Sequence, residues 1–226
     1  IARMAQEMGK EDIYKKYIER SQNYINVFDG ATRFFRGKRM DGNWESPFNP
    51  LAVGRAYTEA TAWQYRFFVP HDVNGMIQLF GGKEEFVAAL DDIFNTDAEI
   101  HGNLVDITGL IGQYVHGNEP SHHIAYLYNY VGEPWKTQKM SRRLLNEMYH
   151  PTPEGIIGNE DCGQMSAWYI LSSMGLYSVC PGSNEYVLTT PLFEKVVVHL
   201  ANGRTLTILA NDPQKNIYIT KVELNG

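Results

Sequence analysis

The sequence has few cysteines, no excess of basic residues and no long apolar run. Its two cysteines, Cys162 and Cys180, form neither a disulfide framework nor a zinc signature. They could pair in an oxidising compartment, but we expect two buried, separate thiols. The net charge is −6 and no basic stripe is present, which argues against a nucleic-acid partner. No apolar run approaches the roughly 20 residues that a membrane span requires.

The sequence patterns at both ends of the chain indicate that it is cut from a longer sequence. The chain begins "IARMAQEMGKED", already in a helical pattern, without an initiator Met or a signal peptide. It ends on Asn225-Gly226, a hairpin-turn signal with no second strand after it. We therefore expect a fragment of a longer protein, truncated within its C-terminal β segment.

Hydrophobic periodicity predicts a helical region over residues 1–183. Helices are predicted at 1–29 with an interruption near Gly9, 58–68, 71–82, 83–95, 121–132 with Ser121 as a cap, 134–149 and 161–175. Similar helix lengths with alternating short and long loops are typical of the helix pairs of an α/α barrel or toroid. A plain helical bundle is the alternative.

From about residue 184 the period changes to alternation, which is typical of strands. Strands are predicted at 185–190, 195–201, 204–210 and 217–224, with a hairpin at Asn202-Gly203. The predicted fold class is therefore mainly α, part of an (α/α)6-type barrel, followed by a small antiparallel β segment over residues 184–226.

A first polar cluster lies in "YTEATAWQYRFFVPHD" and places Glu59 in a predicted helix among aromatic residues. Trp63, four residues on, shares its face, so the carboxyl group would be desolvated and kept in the protonated form that a general acid needs. A surface glutamate on the outer face is an equal alternative. Gln64, His71 and Asp72 are weaker candidates, and Asp72 is better explained as a helix cap.

A second cluster is "GNEPSHH", in which Asn118 and Glu119 offer hard oxygen ligands suited to calcium. His122 and His123 are adjacent, so on a helix they point about 100° apart and cannot form one zinc-binding face. The alternative is a helix N-terminus with two structural histidines.

A third cluster, "GNEDCGQMSAW", opens the last predicted helix. Glu160 and Asp161 are adjacent and therefore diverge, so one can face a cleft while the other caps the helix or binds a metal. Capping explains one acid, but it does not explain Asn159, both acids and Gln164 together.

Two separated carboxylate centres on a helical scaffold rich in aromatic residues suggest glycoside hydrolysis. That chemistry needs an acid at the leaving oxygen and a base or nucleophile on the opposite face of the sugar. Trp44, Trp63 and Trp168 suit stacking on sugar rings, although most tryptophans in a domain of this size belong to the core.

Three stretches closely resemble the glycoside hydrolase family 92 α-mannosidases: "EATAWQYRFFVPHDVNG", "GNEPSHHIAYLYNYVGEPWKTQ" and "GNEDCGQMSAWYILSSMGLYSVCPGSNEYVLTTPLFEKVVV". The likeness runs from about Tyr14 to the C-terminus. It implies calcium-dependent, exo-acting hydrolysis of α-mannosides, often α-1,2-linked, with inversion. It also implies an N-terminal β-sandwich and an (α/α)6 barrel, of which this chain matches only the later part of the barrel and the β segment.

The resemblance also assigns roles to residues of this chain. Glu59 matches the general acid, Asp161 with Glu160 matches the acidic pair that supplies the general base, and Asn118 and Glu119 fall in the calcium motif. Residues expected to contact mannose are Trp63, Gln64, His71, Asp72 and His122. Family members often read "EGNAWQY" where this chain reads "EATAWQY", a difference beside the expected acid that bears on substrate fit.

The partners implied are mannose-containing glycans, Ca²⁺ and a β-sandwich domain of the same protein. Family analogy implies a periplasmic or extracellular location. There are two alternative hypotheses for the function of the chain. It could be an inactive piece of such an enzyme, or a non-catalytic carbohydrate-binding module in which the acids are helix caps.

Overall fold

The computed structural model of the protein describes residues 1–226 and is mainly helical. Its seven α-helices are α1 (Ala2–Glu7), α2 (Glu11–Arg20), α3 (Ala62–Tyr65), α4 (Val73–Leu79), α5 (Lys83–Asn95), α6 (Pro134–Glu147) and α7 (Gln164–Ser173). Three 3₁₀ helices span Asn23–Val27, Glu119–Ser121 and Ile124–Val131. No helix combines the length and the apolar character that crossing a bilayer requires.

Eight short strands form four antiparallel pairs. They are β1 (Phe28–Asp29) with β2 (Phe34–Phe35), β3 (Leu110–Ile111) with β4 (Tyr114–Val115), β5 (Leu176–Tyr177) with β6 (Val187–Leu188), and β7 (Lys195–His199) with β8 (Thr205–Leu209). The mainly helical class with small antiparallel sheets is thus confirmed. Because β5 pairs with β6, the helical region and the C-terminal segment are joined across residue 184; the division into two domains there stays a prediction.

Helix α5 shows most directly how the sequence builds the core. Phe86, Leu90 and Ile93 follow one another at helical spacing and are fully buried. Glu84 and Glu85 lie in the first turn, where the positive end of the helix dipole favours acidic groups. The predicted helix over 83–95 is confirmed at both ends.

An aromatic trio packs α5 against the segment that follows α3. The rings of Phe67 and Phe80 stack with centroids 5.6 Å apart, and Phe86 meets both of them edge-on. All three side chains are essentially inaccessible to solvent. A Phe→Ala change in such a site costs about 3–5 kcal/mol. This trio therefore fixes the chain immediately downstream of Glu59.

The predicted helix over 58–68 is wrong at its N-terminus. Thr61 is the N-cap of α3: its side chain accepts from the Trp63 N–H, while the Gln64 side chain accepts from the Thr61 N–H. This capping box starts the helix at Ala62, so Glu59 lies in a turn before it. Glu59 is exposed, and the aromatic surroundings and desolvation predicted for it are not found.

The other predicted helices are also shorter or differently formed: those at 71–82, 134–149 and 161–175 are reduced to α4, α6 and α7. Residues 1–29 divide into α1, α2 and a 3₁₀ helix, and the expected break is at Gly9. The segment 121–132 is not an α-helix capped by Ser121. Asn118 caps a 3₁₀ turn instead, and the Ser121 hydroxyl accepts a hydrogen bond from the Val115 N–H.

The hairpin predicted at Asn202-Gly203 is confirmed as the turn between β7 and β8. The strand predicted over 217–224 is wrong. Its backbone binds side chains rather than another strand: the Thr190 hydroxyl, just after β6, donates to the Ile217 carbonyl, and the Ile219 N–H donates to Gln138 Oε1 of α6. These contacts hold the C-terminal segment against α6.

Candidate active site

Glu59 and Asp161 share an unusual backbone conformation. Their φ angles are 56° and 43°, in the left-handed region that non-glycine residues avoid at a cost of roughly 1–2 kcal/mol each. Only six non-glycine residues of the chain have positive φ, and Cys162, at 59°, is another of them. Strained conformations of this kind cluster at functional sites. Both carboxylates are exposed, and neither takes part in a hydrogen bond or ion pair of the structure.

Glu160, in contrast, is occupied by helix capping. Its Oε1 accepts from the Ser166 N–H at 3.1 Å, and its Oε2 accepts from the Ser166 hydroxyl at 2.9 Å. Ser166 lies in the first turn of α7, so Glu160 satisfies one of the free donors of that helix. The two adjacent acids therefore differ: Glu160 is bound to α7, and Asp161 is free.

Asn118 brings the first two polar clusters together. Its Nδ2 donates to the backbone carbonyl of Glu59 at 3.0 Å, across 59 positions of sequence. Its Oδ1 accepts from the Glu119 N–H at 3.2 Å, which begins the 3₁₀ helix. Asn118 is only 3% exposed, so it holds the turn that carries Glu59 from within the protein.

Glu119 is half-buried, and its carboxylate forms no hydrogen bond or ion pair with the protein. It lies next to Asn118, whose Oδ1 retains a second lone pair. Hard carboxylate and amide oxygens of this kind fit Ca²⁺. No three His, Cys, Asp or Glu side chains converge on one point, and the calcium site expected at Asn118 and Glu119 stays a prediction.

His122 joins the second and third clusters. Its Nδ1 lies 3.2 Å from Gln164 Nε2, and its Nε2 lies 2.9 Å from the His116 carbonyl oxygen. The amide nitrogen of Gln164 can only donate, so Nδ1 of His122 accepts and Nε2 carries the proton. Burial lowers the pKa of His122 to about 4, and the negative charge of nearby Asp161 opposes this shift only in part. Both ring nitrogens are hydrogen-bonded within the protein, and the sugar contact expected of His122 stays a prediction.

His116 was not identified from the sequence, yet it is the centre of a buried polar network. Its Nδ1 lies 2.9 Å from the Tyr114 hydroxyl and its Nε2 2.9 Å from the Tyr149 hydroxyl. Trp168 packs edge-on against the His116 ring and donates its indole N–H to the His122 carbonyl. This network fixes α7 against the loop that carries Asn118. Its members lie in separate motifs, and no spacing rule links them.

The remaining predicted sugar contacts have varied surroundings. Gln64 is closed within the capping box, and its amide also donates to the Gln113 carbonyl. The Trp63 indole N–H is buried without any partner. His71 and Asp72 are bound to the N-terminal helices instead: His71 Nε2 lies 2.9 Å from the Ser21 carbonyl oxygen, and Asp72 caps α4.

Asp72 also accepts hydrogen bonds from Tyr24 and Gln22. The hydrogen bonds of His71 and Asp72 therefore do not involve the cluster around Asn118. Near Asp161, Asn159 donates to Asp106 rather than to either acid. Cys162 is exposed and Cys180 is partly exposed, and the two are unpaired. The expectation of two buried thiols is therefore wrong.

The chain has two well-defined surface cavities, of about 500 and 540 Å³. Neither is lined by Glu59, Glu119 or Asp161. Glu59 and Asp161 are both exposed, whereas most small-molecule sites are enclosed clefts. The two acids of the candidate site are therefore open to solvent in this chain.

Comparison with known proteins places this geometry in context. The family model for the glycosyl hydrolase family 92 catalytic domain matches residues 1–226. An uncharacterized secreted glycosidase of Arthroderma benhamiae is 31% identical over 246 aligned positions, covering 97% of this chain and 30% of that protein.

Two solved structures from Bacteroides thetaiotaomicron are also similar. A family GH92 α-mannosidase in complex with mannoimidazole has a TM-score of 0.85 and 40% identity, over 93% of this chain and 29% of that one. An inverting mannosidase of family GH92 has a TM-score of 0.81 and 38% identity, over 93% of this chain and 30% of that one. The chain thus spans less than a third of the length of these relatives.

Proposed function

The chain belongs to glycosyl hydrolase family 92, and from that membership we propose that it carries the acid and the base of an exo-acting, inverting α-mannosidase. The observation that supports this most strongly is the pair of free, strained carboxylates. Glu59 and Asp161 are both unpaired and both have a left-handed φ. Asn118 binds the backbone carbonyl of Glu59, and His122 binds Gln164, three residues after Asp161. Helix capping explains neither of them.

In the proposed mechanism, Glu59 protonates the departing glycosidic oxygen while Asp161 accepts a proton from a water on the opposite face of the sugar. Direct attack by that water inverts the anomeric carbon. Inverting pairs keep their carboxyl groups roughly 6.5–9.5 Å apart to leave room for the water. Glu160 is not assigned a catalytic role in this mechanism, because its carboxylate accepts two hydrogen bonds from Ser166 at the start of α7.

We further propose that Asn118 and Glu119 hold Ca²⁺ through their side-chain oxygens. When bound, the ion would supply Lewis-acid binding of the mannose hydroxyls at O2 and O3. Glu119 suits this because its half-buried carboxylate has no protein partner to satisfy it. Asn118 would use one oxygen lone pair for the ion and its N–H₂ group for the Glu59 turn.

The rest of the whole protein enters as part of the same proposal. The solved relatives are more than three times as long as this chain, and the chain's two free acids are exposed. We infer that an N-terminal β-sandwich and the other helices of an (α/α)6 barrel enclose these acids in the whole protein. The relative from Arthroderma benhamiae is called secreted, which supports an extracellular or periplasmic location. The substrates proposed are mannose-containing glycans, with α-1,2 linkages as the first to test.

Mannose release from an α-1,2-mannobioside tests the proposal. Release should stop when a chelator removes calcium and return when calcium is added, and NMR should show β-mannose as the first product. Glu119→Gln should weaken calcium binding at least tenfold in a titration and raise the calcium needed for half-maximal rate. Glu133→Gln is a matched control, since Glu133 is likewise partly buried but its carboxylate already accepts from the Trp135 indole N–H.

The assay is run on this chain and on an N-terminally extended form. Activity only in the longer form identifies the chain as an incomplete catalytic unit. Retention of the α configuration, or full activity after chelation, contradicts the mechanism. Sugar binding without any turnover in either form favours a carbohydrate-binding module.

Trp63 offers a separate test of substrate contact. Its buried N–H has no partner, whereas that of Trp168 donates to the His122 carbonyl. Both Trp→Phe changes remove a ring and an N–H, but only Trp168→Phe leaves a buried acceptor unpaired. Trp168→Phe should therefore lower the free energy of unfolding by about 1–3 kcal/mol more than Trp63→Phe.

If Trp63 contacts the sugar through its ring, Trp63→Phe should raise the KM for mannosides several-fold. Urea unfolding and steady-state kinetics measure the two effects. Equal destabilisation by both changes, with KM unaltered, argues that Trp63 is a core residue only.

A further inference from the structure

Two hydrogen bonds tie the proposed acid and the proposed base to one short piece of chain. At one end of segment 118–122, Asn118 holds the Glu59 carbonyl. At the other end, His122 accepts from Gln164, which follows Asp161 by three residues. The end residues Asn118 and His122 are 3% and 2% exposed. Between them runs the 3₁₀ helix Glu119–Ser121, whose own backbone bonds fix the spacing of the two ends.

We propose that segment 118–122 is a bracket that sets the separation of the acid and the base, with Asn118 and His122 as positioning residues for Glu59 and Asp161. This inference rests on the proposed function. It differs from the roles that the sequence suggested, in which Asn118 was a calcium ligand only and His122 a sugar contact.

The acid end of the bracket works against backbone strain. Glu59 has a left-handed φ, and its side chain has no contact that would hold it there. The Asn118 bond to its carbonyl, with the capping box at Thr61, is what fixes the peptide on either side. Without that bond the turn could relax toward a negative φ, which would re-aim the carboxyl group.

The base end depends on a neutral His122. Residues 161–163 all have positive φ, so the loop that carries Asp161 turns tightly before Gln164 begins α7. The Gln164 amide can donate to Nδ1 only while that nitrogen is unprotonated. Burial keeps it so, because it lowers the pKa of His122 to about 4. The backbone carbonyl of His116 accepts from Nε2 and fixes the ring's orientation.

Asn118→Asp separates the positioning role from the calcium role. The aspartate keeps a hard oxygen for calcium but loses the N–H₂ group that binds the Glu59 carbonyl. In the protein expressed from its full gene, we expect kcat to fall about 10- to 100-fold with KM little changed, because a misplacement of about 1 Å costs a factor of this size. Calcium affinity by titration calorimetry should stay the same or rise. Unchanged kcat with unchanged calcium affinity would overturn the acid half of the proposal.

His122→Asn and His122→Leu test the base end. The Asn oxygen can accept from Gln164 in place of Nδ1, whereas Leu cannot, and both lose the bond to the His116 carbonyl. A positioning role predicts that kcat of the Asn variant exceeds that of the Leu variant by about tenfold or more at similar unfolding midpoints. Equal kcat values in the two variants would overturn this half.

Gln164→Met removes the donor but keeps the side-chain length, and it should lower kcat as His122→Leu does. Gln78→Met, on the exposed face of α4, controls for the substitution itself. Failure of the bracket is distinguishable from failure of the function. If the wild type releases β-mannose and Glu59→Gln does not, but the bracket variants keep their kcat, only the bracket is wrong. If the wild type releases no mannose in its full-length form, the function fails and the bracket falls with it.

Discussion

Replacing Glu59 by Gln should lower kcat about 10²- to 10⁴-fold on mannosides with sugar leaving groups, the usual contribution of a general acid. The fold should be unaffected, because the Glu59 side chain is exposed and unbonded. A sugar alkoxide is a poor leaving group and needs the proton. A nitrophenolate leaves without one, so the loss on a nitrophenyl α-mannoside should be far smaller.

The comparison of the two substrates identifies the role. Equal losses on both would place Glu59 in binding or in calcium retention rather than in proton transfer. Unchanged kcat on both would remove it from the mechanism. Circular dichroism and the unfolding midpoint of the Gln variant confirm that any loss is not a loss of fold.

Glu59→Gly adds a measurement that a surface glutamate would not explain. A left-handed φ costs a non-glycine residue roughly 1–2 kcal/mol. Glycine avoids this cost, but it loses more conformational entropy on folding, which offsets about 0.5–1 kcal/mol of the gain in stability. The Gly variant should therefore be inactive yet more stable than the wild type by up to about 1 kcal/mol. Greater stability with lost turnover is the signature of strain kept for function. A less stable Gly variant would show that the turn is not strained.

The sequence predicted the elements whose signals are local. Helix α5 has its apolar residues at regular spacing, and the β7–β8 hairpin has Asn202-Gly203 at its turn. The start of α3 was misplaced although its signal was also local. Thr61 and Gln64 form the pattern of a capping box, and they place Glu59 outside the helix. Periodicity among the aromatic residues concealed that boundary.

The sequence also predicts different roles for the two adjacent acids, but it does so by placing them on a helix over 161–175, whereas both precede α7, which begins at Gln164. Glu160 caps α7, and Asp161 is left free. The network around His116 could not be predicted in this way. Its bond to Tyr149 joins positions 33 residues apart, and the contact of its ring with Trp168 depends on how α7 packs against the loop that carries Asn118. Such contacts are set by tertiary structure, so a single sequence gives no period or spacing from which to infer them.

The chain should unfold in mild acid, and three buried histidines are the reason. Burial lowers the pKa of His116 to about 3 and those of His122 and His123 to about 4. In the unfolded chain each would titrate near 6.5. The folded state thus binds fewer protons than the unfolded state between these values. Their contribution to stability is fully present above about pH 6.5 and is lost as the pH falls toward 4.

The expected slope is large, up to about 4 kcal/mol per pH unit when three extra protons bind the unfolded state. A protein in the lower part of the ordinary stability range, roughly 5–10 kcal/mol, would then unfold about one to three pH units below 6.5. Hydrogen bonds from Arg36 and neighbouring donors lower the pKa of Asp29 despite its burial, so the stability that Asp29 contributes is lost only at a lower pH than that of the histidines. The histidine window is therefore separable from that of the paired carboxylate.

Urea unfolding at pH 7.5, 6.5 and 5.5 measures the slope, and His123→Gln dissects it. The Gln amide can still donate to the Phe67 carbonyl that His123 Nε2 contacts at 2.7 Å, but it cannot take up a proton. The slope should fall by about a third. His199→Gln, on the exposed side of β7, controls for the change itself. Constant stability from pH 7.5 to 5.5, or an unaltered slope in His123→Gln, would contradict the account. A reduced slope would show that the neutral state of this histidine cluster, including the ring that anchors Gln164 beside Asp161, is maintained at the expense of acid stability.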